Sequence, residues 1–215
     1  MTGILDTQTG NIQSVANLLR HLNLSFCISK NLSTLQKCNN IIITGNTTYD
    51  SQVKSLRQTG LENFLNDAYL ANKVKIIGIC SGAQIFGISS EEGQEPGLAY
   101  VNMRVKSLPS CKGFTPPKMG WYFVEPCGFI NKYYKEKPRF YFSHSYYMDL
   151  DGFDHDIFVC NHPIIHTVGF KKNNLIGLQF HLERSHIFGI ELLQILFRQY
   201  ETSYTDDINS RRPMR

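Results

Sequence analysis

The chain has 215 residues, of which 42% are hydrophobic and 19% charged, and it carries a formal net charge of +4. This length and composition suit one folded domain with a sizeable core and not a disordered chain. The lysines and arginines form no basic block interleaved with aromatic residues, so we expect no nucleic-acid partner. No apolar run approaches the roughly 18 residues that span a bilayer, so we expect no membrane partner.

The six cysteines form neither a CxxC pair nor the Cys/His spacing of a zinc site. The N-terminus lacks the basic and apolar regions of a secretory signal. We therefore expect reduced thiols and a cytoplasmic location. The histidines show no ligand spacing with carboxylates or thiols, so we also expect neither a metal nor an organic cofactor.

The first half of the chain alternates short apolar runs with amphipathic stretches, a pattern typical of βαβ units with parallel strands. The run that precedes Cys80 is almost wholly apolar, as expected for a strand buried on both faces. In chain order the predicted elements are strand Gly3–Leu5, helix Asn11–Leu22, strands Ser25–Ser29 and Asn40–Thr44, a helix over Gln52–Leu70 broken near Gly60, and strand Lys73–Ile79.

The second half, from Leu98 to Gln179, is rich in aromatic and β-branched residues, so we expect antiparallel or mixed strands there. A final helix is predicted over Ser185–Tyr200, and the polar tail 201–215 is expected to fray. The predicted fold is a single α/β domain over 1–200 with a mixed, mostly parallel central sheet and helices on both faces. Turn signals stand at Leu108-Pro109, Thr115-Pro116-Pro117, Lys137-Pro138 and Lys172-Asn173-Asn174.

Residues 78–82, which read GICSG, place a cysteine between two glycines where a predicted strand meets a predicted helix. This is the form of a nucleophile elbow, whose sharp turn leaves no room for Cβ atoms two residues to either side. The turn presents Cys80 at a helix N-terminus, and the amide of Ser81 can donate to an oxyanion. A buried structural cysteine at a tight junction is the alternative interpretation.

A second polar pair, His181 and Glu183, lies far downstream in the segment GLQFHLE. A thiol nucleophile needs a base, and that base needs an orienting carboxylate. The two residues lie two positions apart at a predicted strand end, so Glu183 can hold the imidazole. Taken singly, His181 could be a core histidine and Glu183 an acid in the first turn of the last helix. Both motifs in this order favour a Cys-His-Glu triad.

The segments GICSGAQ, KMGW, FSHSYY and QFHLE, in this order, resemble the class I (triad-type) glutamine amidotransferases. Among these enzymes the chain is most similar to the glutaminase subunits of imidazole glycerol phosphate synthase. The early segment DTQTGNIQSV is similar to the first strand-to-helix turn of those subunits. The resemblance extends to about Tyr200, and it implies a flavodoxin-like fold with L-glutamine as the substrate.

The resemblance implies that Cys80 attacks the glutamine carboxamide, that His181 acts as base and then as acid, and that Glu183 orients it. The oxyanion hole would be formed by the amide of Ser81 and by a loop that contains Gly45 and Asn46. Four further residues match substrate-binding positions of the family, although a helix surface or an edge strand is the alternative role for them: Gln84, Glu92, Ser145 and Tyr146.

The resemblance also implies a partner surface. In the family the ammonia crosses into a (β/α)8 synthase subunit and not into water. The segment KMGW matches residues at that interface, and Arg184 stands where the interface has a basic residue. We therefore expect a heterodimer with a cyclase subunit, bound through Lys118, Met119, Trp121 and Arg184, although Trp121 could equally be a core residue.

The chain departs from the family pattern in three segments. Thr44-Gly45-Asn46-Thr47 stands where the family has a Pro-Gly-x-Gly loop, and this is expected to affect the loop's flip into an active conformation. Leu182 replaces the proline between the catalytic His and Glu, which should loosen the backbone there, and Tyr122 replaces an asparagine.

The leading hypothesis is a glutaminase subunit that supplies ammonia to a synthase in histidine biosynthesis. One alternative keeps the chemistry and changes the acceptor: a paralogue that supplies ammonia for amidation of a surface-polysaccharide sugar. The other belongs to a different class, a catalytically weak regulatory or binding subunit that keeps the triad but lacks a competent oxyanion loop.

Overall fold

The apolar runs of the first half form the parallel middle of a large sheet. The computed structural model describes residues 1–7, 10–152 and 155–197. The strands are β1 (Thr2–Leu5), β2 (Phe26–Ser29), β3 (Asn40–Thr44), β4 (Lys75–Ile79), β5 (Ser89–Ser90), β6 (Met103–Ser107), β7 (Lys118–Phe123), β8 (Glu125–Pro126), β9 (Arg139–His144), β10 (Tyr146–Leu150), β11 (Asp156–Asn161), β12 (Ile165–Lys172) and β13 (Leu175–Leu178). The helices are α1 (Ile12–His21), α2 (Leu32–Leu35), α3 (Tyr49–Gln58), α4 (Leu61–Ala71), α5 (Ser81–Gln84) and α6 (186–197), and 3-10 helices cover Gly128–Tyr133 and Leu182–Arg184.

Within these residues, eleven strands share one sheet, in the order β2-β1-β3-β4-β13-β12-β10-β6-β5, while β11 pairs with β12 and with β8. The pairs from β2 to β13 are parallel. The pairs from β13 to β6 are antiparallel, and β5 returns to a parallel pairing with β6. The predicted mixed α/β sheet with a parallel centre is therefore confirmed, as is the change of character in the second half.

The turn signals of the second half separate its strands as predicted. Strand β6 ends just before Leu108-Pro109, and β9 begins just after Lys137-Pro138. Strands β12 and β13 form a hairpin in which Lys172 pairs with Leu175, so the loop contains only two residues. Asn173 has a φ of 53°, a conformation that asparagine tolerates better than most residues. Strands β7 and β9 form a separate antiparallel pair.

Alternate residues of the central strands pack into two layers, one on each face of the sheet. Ile42 faces a core built with α1 and α6, whereas Ile41 and Ile43 face a core built with α3 and α4. This arrangement confirms helices on both faces, and it holds the central strands rigidly in register. The strand ends that carry the polar motifs are thereby fixed relative to one another.

Several element boundaries differ from the sequence-based prediction. Helix α3 begins at Tyr49, three residues before the predicted start, because the Glu92 carboxylate accepts a hydrogen bond from the Tyr49 amide at 2.8 Å. The helix after Cys80 is a single turn, and α2 was not predicted. The predicted end of the last helix at Tyr200 and the tail 201–215 lie outside the described residues.

The described part of the chain contains no helix long and apolar enough to cross a bilayer. It also contains no group of three or more His, Cys, Asp or Glu side chains that could hold a metal ion.

Candidate active site

Three neighbouring parallel strands bring the polar motifs to one edge of the sheet. Strand β4 lies between β3 and β13 and is parallel to both. Carboxyl ends of parallel strands meet at the same edge, where open α/β sheets bind their ligands. The segments that follow the three strands are therefore neighbours, although they are far apart in the chain: the loop 45–47, the elbow 80–82 and residues 179–183.

The elbow has the strained geometry that its glycines predict. Cys80 has φ 55° and ψ −120°, a conformation that L residues rarely adopt. A Cβ at Gly78 would lie 2.4 Å from the carbonyl oxygen of Gly82, and a Cβ at Gly82 would lie 2.4 Å from that of Ile43. Both positions therefore require glycine. The turn fixes the thiol of Cys80 above the end of β4, as expected for a nucleophile.

His181 and Glu183 are joined as the sequence predicts. Nδ1 of His181 lies 2.8 Å from Oε1 of Glu183, and the two side chains are 3% and 1% exposed. The backbone amide of His181 donates to the carbonyl of Tyr141 at 2.9 Å. Leu182, which occupies the position of the family's proline, packs in the core within a 3-10 turn. Glu183 thus fixes the imidazole through Nδ1 and Tyr141 fixes the backbone of His181, so Nε2 is left for the sulfur of Cys80.

The electrostatics favour the protonated form of His181. Burial alone would lower the pKa of His181, but hydrogen bonds to the Cys80 thiolate and the Glu183 carboxylate, together with their charges, raise it to about 10. The imidazolium form therefore predominates at neutral pH. A thiolate that faces an imidazolium is an activated nucleophile with its proton donor already in place.

Asn11 extends the triad on the side away from Cys80, a role that the sequence analysis did not assign. Its Nδ2 donates to Oε1 of Glu183 at 3.2 Å, and its Oδ1 accepts from the Ser14 hydroxyl at 2.7 Å. Asn11 precedes helix α1 and lies 172 positions before Glu183 in the chain, so no local pattern indicates the contact. The one available signal is its position in the segment DTQTGNIQSV.

The predicted oxyanion residues lie beside the elbow, but not equally close to it. The amides of Ser81 and Gly82 lie at the start of helix α5. The first N–H groups of a helix have no backbone acceptor within that helix, so these amides can donate to another group. Gly45 packs directly on them, since a Cβ at Gly45 would lie 2.3 Å from the Gly82 nitrogen. Asn46, by contrast, is exposed to solvent. The structure brings Gly45 and Ser81 together and leaves Asn46 at the surface of the loop.

Buried Gln52 holds the loop from helix α3. Its Nε2 donates to the carbonyl of Thr44 at 3.2 Å, and its Oε1 accepts from the Thr47 hydroxyl at 3.4 Å. Gln52 is completely buried, and no local pattern beyond helix formation indicates this contact. The loop is therefore anchored at both of its ends.

Gln84 is buried one turn after Cys80 and connects the elbow to the FSHSYY segment. Its Nε2 donates to the carbonyl of Tyr146 at 3.0 Å and to Oε1 of Gln179 at 3.1 Å. Gln179 in turn has its Nε2 3.9 Å from the sulfur of Cys80. The predicted substrate residues Gln84 and Tyr146 thus lie together next to the nucleophile.

Ser145 and Glu92 occupy the outer parts of the site. Ser145 connects β9 to β10, and its carbonyl accepts from the Leu108 amide at 2.9 Å. Glu92 caps the N-terminus of α3, next to the loop that contains Gly45. Contact of these two residues with glutamine stays a prediction.

The comparisons with known proteins agree with this geometry. The model of the family "Glutamine amidotransferase class-I" matches residues 3–199. The chain belongs to the class I glutamine amidotransferases. Its relatives include the imidazole glycerol phosphate synthase subunit HisH of Leptospira borgpetersenii, which is 36% identical over 90% of this chain and 98% of the relative. The subunit HisH 2 of Pseudomonas aeruginosa is 33% identical over 90% of this chain and 97% of the relative.

A solved amidotransferase shares the fold at a much lower identity. The crystal structure described as that of a glutamine amidotransferase superposes with a TM-score of 0.74 at 14% identity, over 93% of this chain and 98% of that chain. The predicted family and enzyme class are confirmed.

On this amidotransferase, three of the predicted interface residues share one surface. Met119 is 58% exposed and Trp121 is 38% exposed on strand β7. Trp121 packs edge-on against Tyr141, with ring centroids 6.1 Å apart, and the exposed guanidinium of Arg184 lies 4.2 Å from the centre of the Tyr141 ring. Tyr141 also accepts the hydrogen bond from the His181 amide, so this surface lies directly against the triad.

Lys118 is different, and the prediction that it lies at the interface is wrong for its side chain. Lys118 is completely buried, with its Nζ 2.9 Å from the sulfur of Cys160. Successive residues of a strand point to opposite faces, so Lys118 turns inward where Met119 turns outward. By the same alternation Met119 and Trp121 share the outer face, on either side of Gly120, which has φ 118°.

Proposed function

We propose that this chain is a glutaminase subunit that hydrolyses L-glutamine and delivers the ammonia to a synthase partner, most simply that of imidazole glycerol phosphate synthase in histidine biosynthesis. The buried arrangement of Cys80, His181 and Glu183 at the carboxyl edge of the sheet carries the proposal. Similarity to the HisH subunits over 90% of the chain supports the pathway.

The reaction follows from the positions of these groups. The Cys80 thiolate attacks the carboxamide carbon, and amides of Ser81 and of the loop that contains Gly45 and Asn46 stabilise the oxyanion. His181 donates its proton to the leaving ammonia, which leaves a thioester on Cys80. His181 then accepts a proton from water as the water attacks the thioester, and glutamate departs. Glu183 keeps the imidazole in one tautomer throughout.

Substrate binding would use the walls of the same edge. The segment that contains Ser145 and Tyr146 would hold the glutamine carboxylate, with Gln84 fixing that segment through the Tyr146 carbonyl. Glu92, a carboxylate at the outer side of the loop, would attract the amino group of glutamine. The negative charge of the Glu92 carboxylate suits a cationic ligand.

The partner would be a (β/α)8 cyclase subunit in the cytoplasm, seated on Met119, Trp121 and Arg184. The exposed apolar side chains on β7 support a protein interface, because aromatic, Met and Arg residues are enriched there. The surface adjoins Tyr141 and hence the triad, so ammonia would have a short path across it.

The relative numbered HisH 2 is likewise named as an imidazole glycerol phosphate synthase subunit. A paralogue that supplies ammonia for amidation of a surface-polysaccharide sugar through a cyclase-like partner stays an alternative hypothesis. The complete triad argues against the third possibility, a regulatory subunit with weak activity.

The test is ammonia release from L-glutamine by the purified chain, alone and with a histidine-pathway cyclase subunit plus its ribonucleotide ligand. Strong stimulation by the liganded partner is expected. Cys80→Ala should lower hydrolysis by at least about a thousandfold while circular dichroism stays unchanged. Hydrolysis by Cys80→Ala at the wild-type rate would refute the triad, whereas an active chain that no cyclase stimulates would point to another acceptor.

A further inference from the structure

Lys118 and Cys160 form a buried pair outside the triad. The Lys118 side chain is 0% exposed and Cys160 is 2% exposed. Nζ of Lys118 lies 2.9 Å from Sγ of Cys160 and donates to the carbonyl oxygen of His162 at 2.8 Å. In the part of the chain that the structure describes, no salt bridge joins Lys118 to a carboxylate. A buried lysine with a thiol as its side-chain partner is unusual.

The surroundings of this amine affect both its pKa and its mobility. Burial lowers the pKa of Lys118, against the opposing charge and hydrogen bond of Cys160. The rings of Tyr122 and Phe142 each lie 4.6 Å from Nζ and restrict its movement. The amine and the sulfur are thus held next to each other with little freedom.

A cavity adjoins Cys160. Its volume is about 310 Å³, and Cys160 is part of its wall together with Phe123 and His162. Glu125 and Lys137 also line it, so it admits polar molecules. Hydrogen peroxide is small and polar enough to enter, and thiols are its usual targets in proteins.

We infer that Lys118 and Cys160 are an oxidative modification site, at which hydrogen peroxide joins the two side chains through a single oxygen atom in an N–O–S bridge. One peroxide oxidises the Cys160 thiol to the sulfenic acid and releases one water. A second peroxide takes two electrons as the sulfenic oxygen bonds to Nζ. The sulfenic O–H and one N–H break, and two waters leave. Sulfur and nitrogen each lose two electrons, and the two peroxides accept four.

The geometry favours this bridge over a direct sulfur–nitrogen bond. An oxygen bonded to both atoms keeps Nζ and Sγ close to their present separation of 2.9 Å, whereas a direct bond would pull the two atoms much closer together. Lys118 begins β7 and Cys160 lies in β11. The bridge therefore ties the strand that carries Met119 and Trp121 to the large sheet.

The test treats the reduced, purified chain with hydrogen peroxide and maps its peptides by mass spectrometry. We expect the peptides that contain Lys118 and Cys160 to be linked, with a gain of about 14 Da over their sum, for one oxygen added and two hydrogens lost. Dithiothreitol should release the link. Trypsin should also cease to cleave after Lys118, because it requires a free amine.

Matched variants separate this site from general thiol oxidation. Cys160→Ser and Lys118→Met should each abolish the link, whereas Cys127→Ser, at a half-buried cysteine elsewhere, should retain it. The wild-type map decides the question even if one variant fails to fold. Cys160 oxidised to sulfinic acid beside an unmodified Lys118, a linked pair that is about 2 Da lighter than its sum, or no change at either residue would each overturn the inference.

Discussion

Glu183 accepts hydrogen bonds from both His181 and Asn11 through the same oxygen, Oε1, while Oε2 has no partner in the described part of the chain. We therefore expect Asn11 to be a positioning residue that acts through Glu183. A hydrogen bond to a charged group contributes about 1.5–3 kcal/mol, so its loss should be measurable in the rate.

Asn11→Ala should lower kcat by about tenfold and leave the KM for glutamine nearly unchanged, because the imidazole loses its fixed orientation and the substrate pocket does not. Steady-state glutaminase assays across pH check this, since a misplaced Glu183 should also shift the pH profile. Asn17→Ala, on the exposed face of the same helix, is the control. A variant that changes KM alone would place Asn11 in substrate binding instead.

Two further histidines near the site are held neutral. Burial lowers the pKa of His144 to about 3 and that of His166 to about 4. The unfolded chain binds a proton at each below about pH 6.5, whereas the native chain does so only below these lower values. Native stability should therefore fall as pH falls from about 6.5 toward 4.

His166→Gln should remove its share of this acid sensitivity. Between pH 7 and pH 4 the free energy of unfolding of the wild type should fall by roughly 3 kcal/mol more than that of the variant. Urea unfolding at several pH values measures the difference. His155→Gln, at an exposed histidine, is the control variant, and parallel slopes for the wild type and His166→Gln would contradict the assignment.

Among the secondary-structure elements, the loop after β3 is the clearest departure from the family. Gln52 anchors it through Thr44 and Thr47, and Gly45 packs on the elbow amides. Two of the loop's four residues are threonines where the family has a proline and a glycine. We therefore expect the rearrangement of its amides toward an oxyanion to be the step most affected by this sequence.

Thr47→Gly should raise basal glutamine hydrolysis by several fold, because glycine frees the loop backbone and the hydrogen bond to Gln52 is lost. Thr47→Ala loses the same hydroxyl without gaining the backbone freedom, so it separates the two causes. Ammonia release without a partner is the measurement. A lower rate for Thr47→Gly would show that the loop acts through another geometry.

At the scale of the whole molecule, the surface on β7 is where a partner would influence catalysis. Met119 is more than half exposed, and the neighbouring Trp121 stacks on His186 with ring centroids 5.4 Å apart. His186 follows the triad segment closely in the chain. A partner seated here would contact residues connected to the triad through Tyr141 and α6.

Met119→Glu should abolish stimulation by a cyclase partner, because a buried, unpaired carboxylate costs several kcal/mol at an interface. Titration of the partner into the glutaminase assay gives the apparent affinity, which should weaken by at least about a hundredfold. Leu70→Glu, at an exposed leucine on α4, is the matched control. Equal stimulation of the two variants would place the partner on another surface.

The sequence by itself determined the chemistry and most of the architecture. Gly78, Cys80 and Gly82 had to form an elbow because only glycine leaves room around a strained nucleophile, and their spacing is local. The His181–Glu183 pair and the βαβ alternation are likewise short-range patterns. Such patterns predict secondary structure and turns from the sequence because they involve residues close together in the chain.

Only the tertiary structure decided the long-range contacts. Nothing in the local sequence indicates that Asn11 meets Glu183, that Glu92 starts helix α3, or that Lys118 turns inward to Cys160 beside an exposed Met119. Each depends on which strands are neighbours and on which face of a strand is covered, and these follow from packing of the whole chain and not from local pattern.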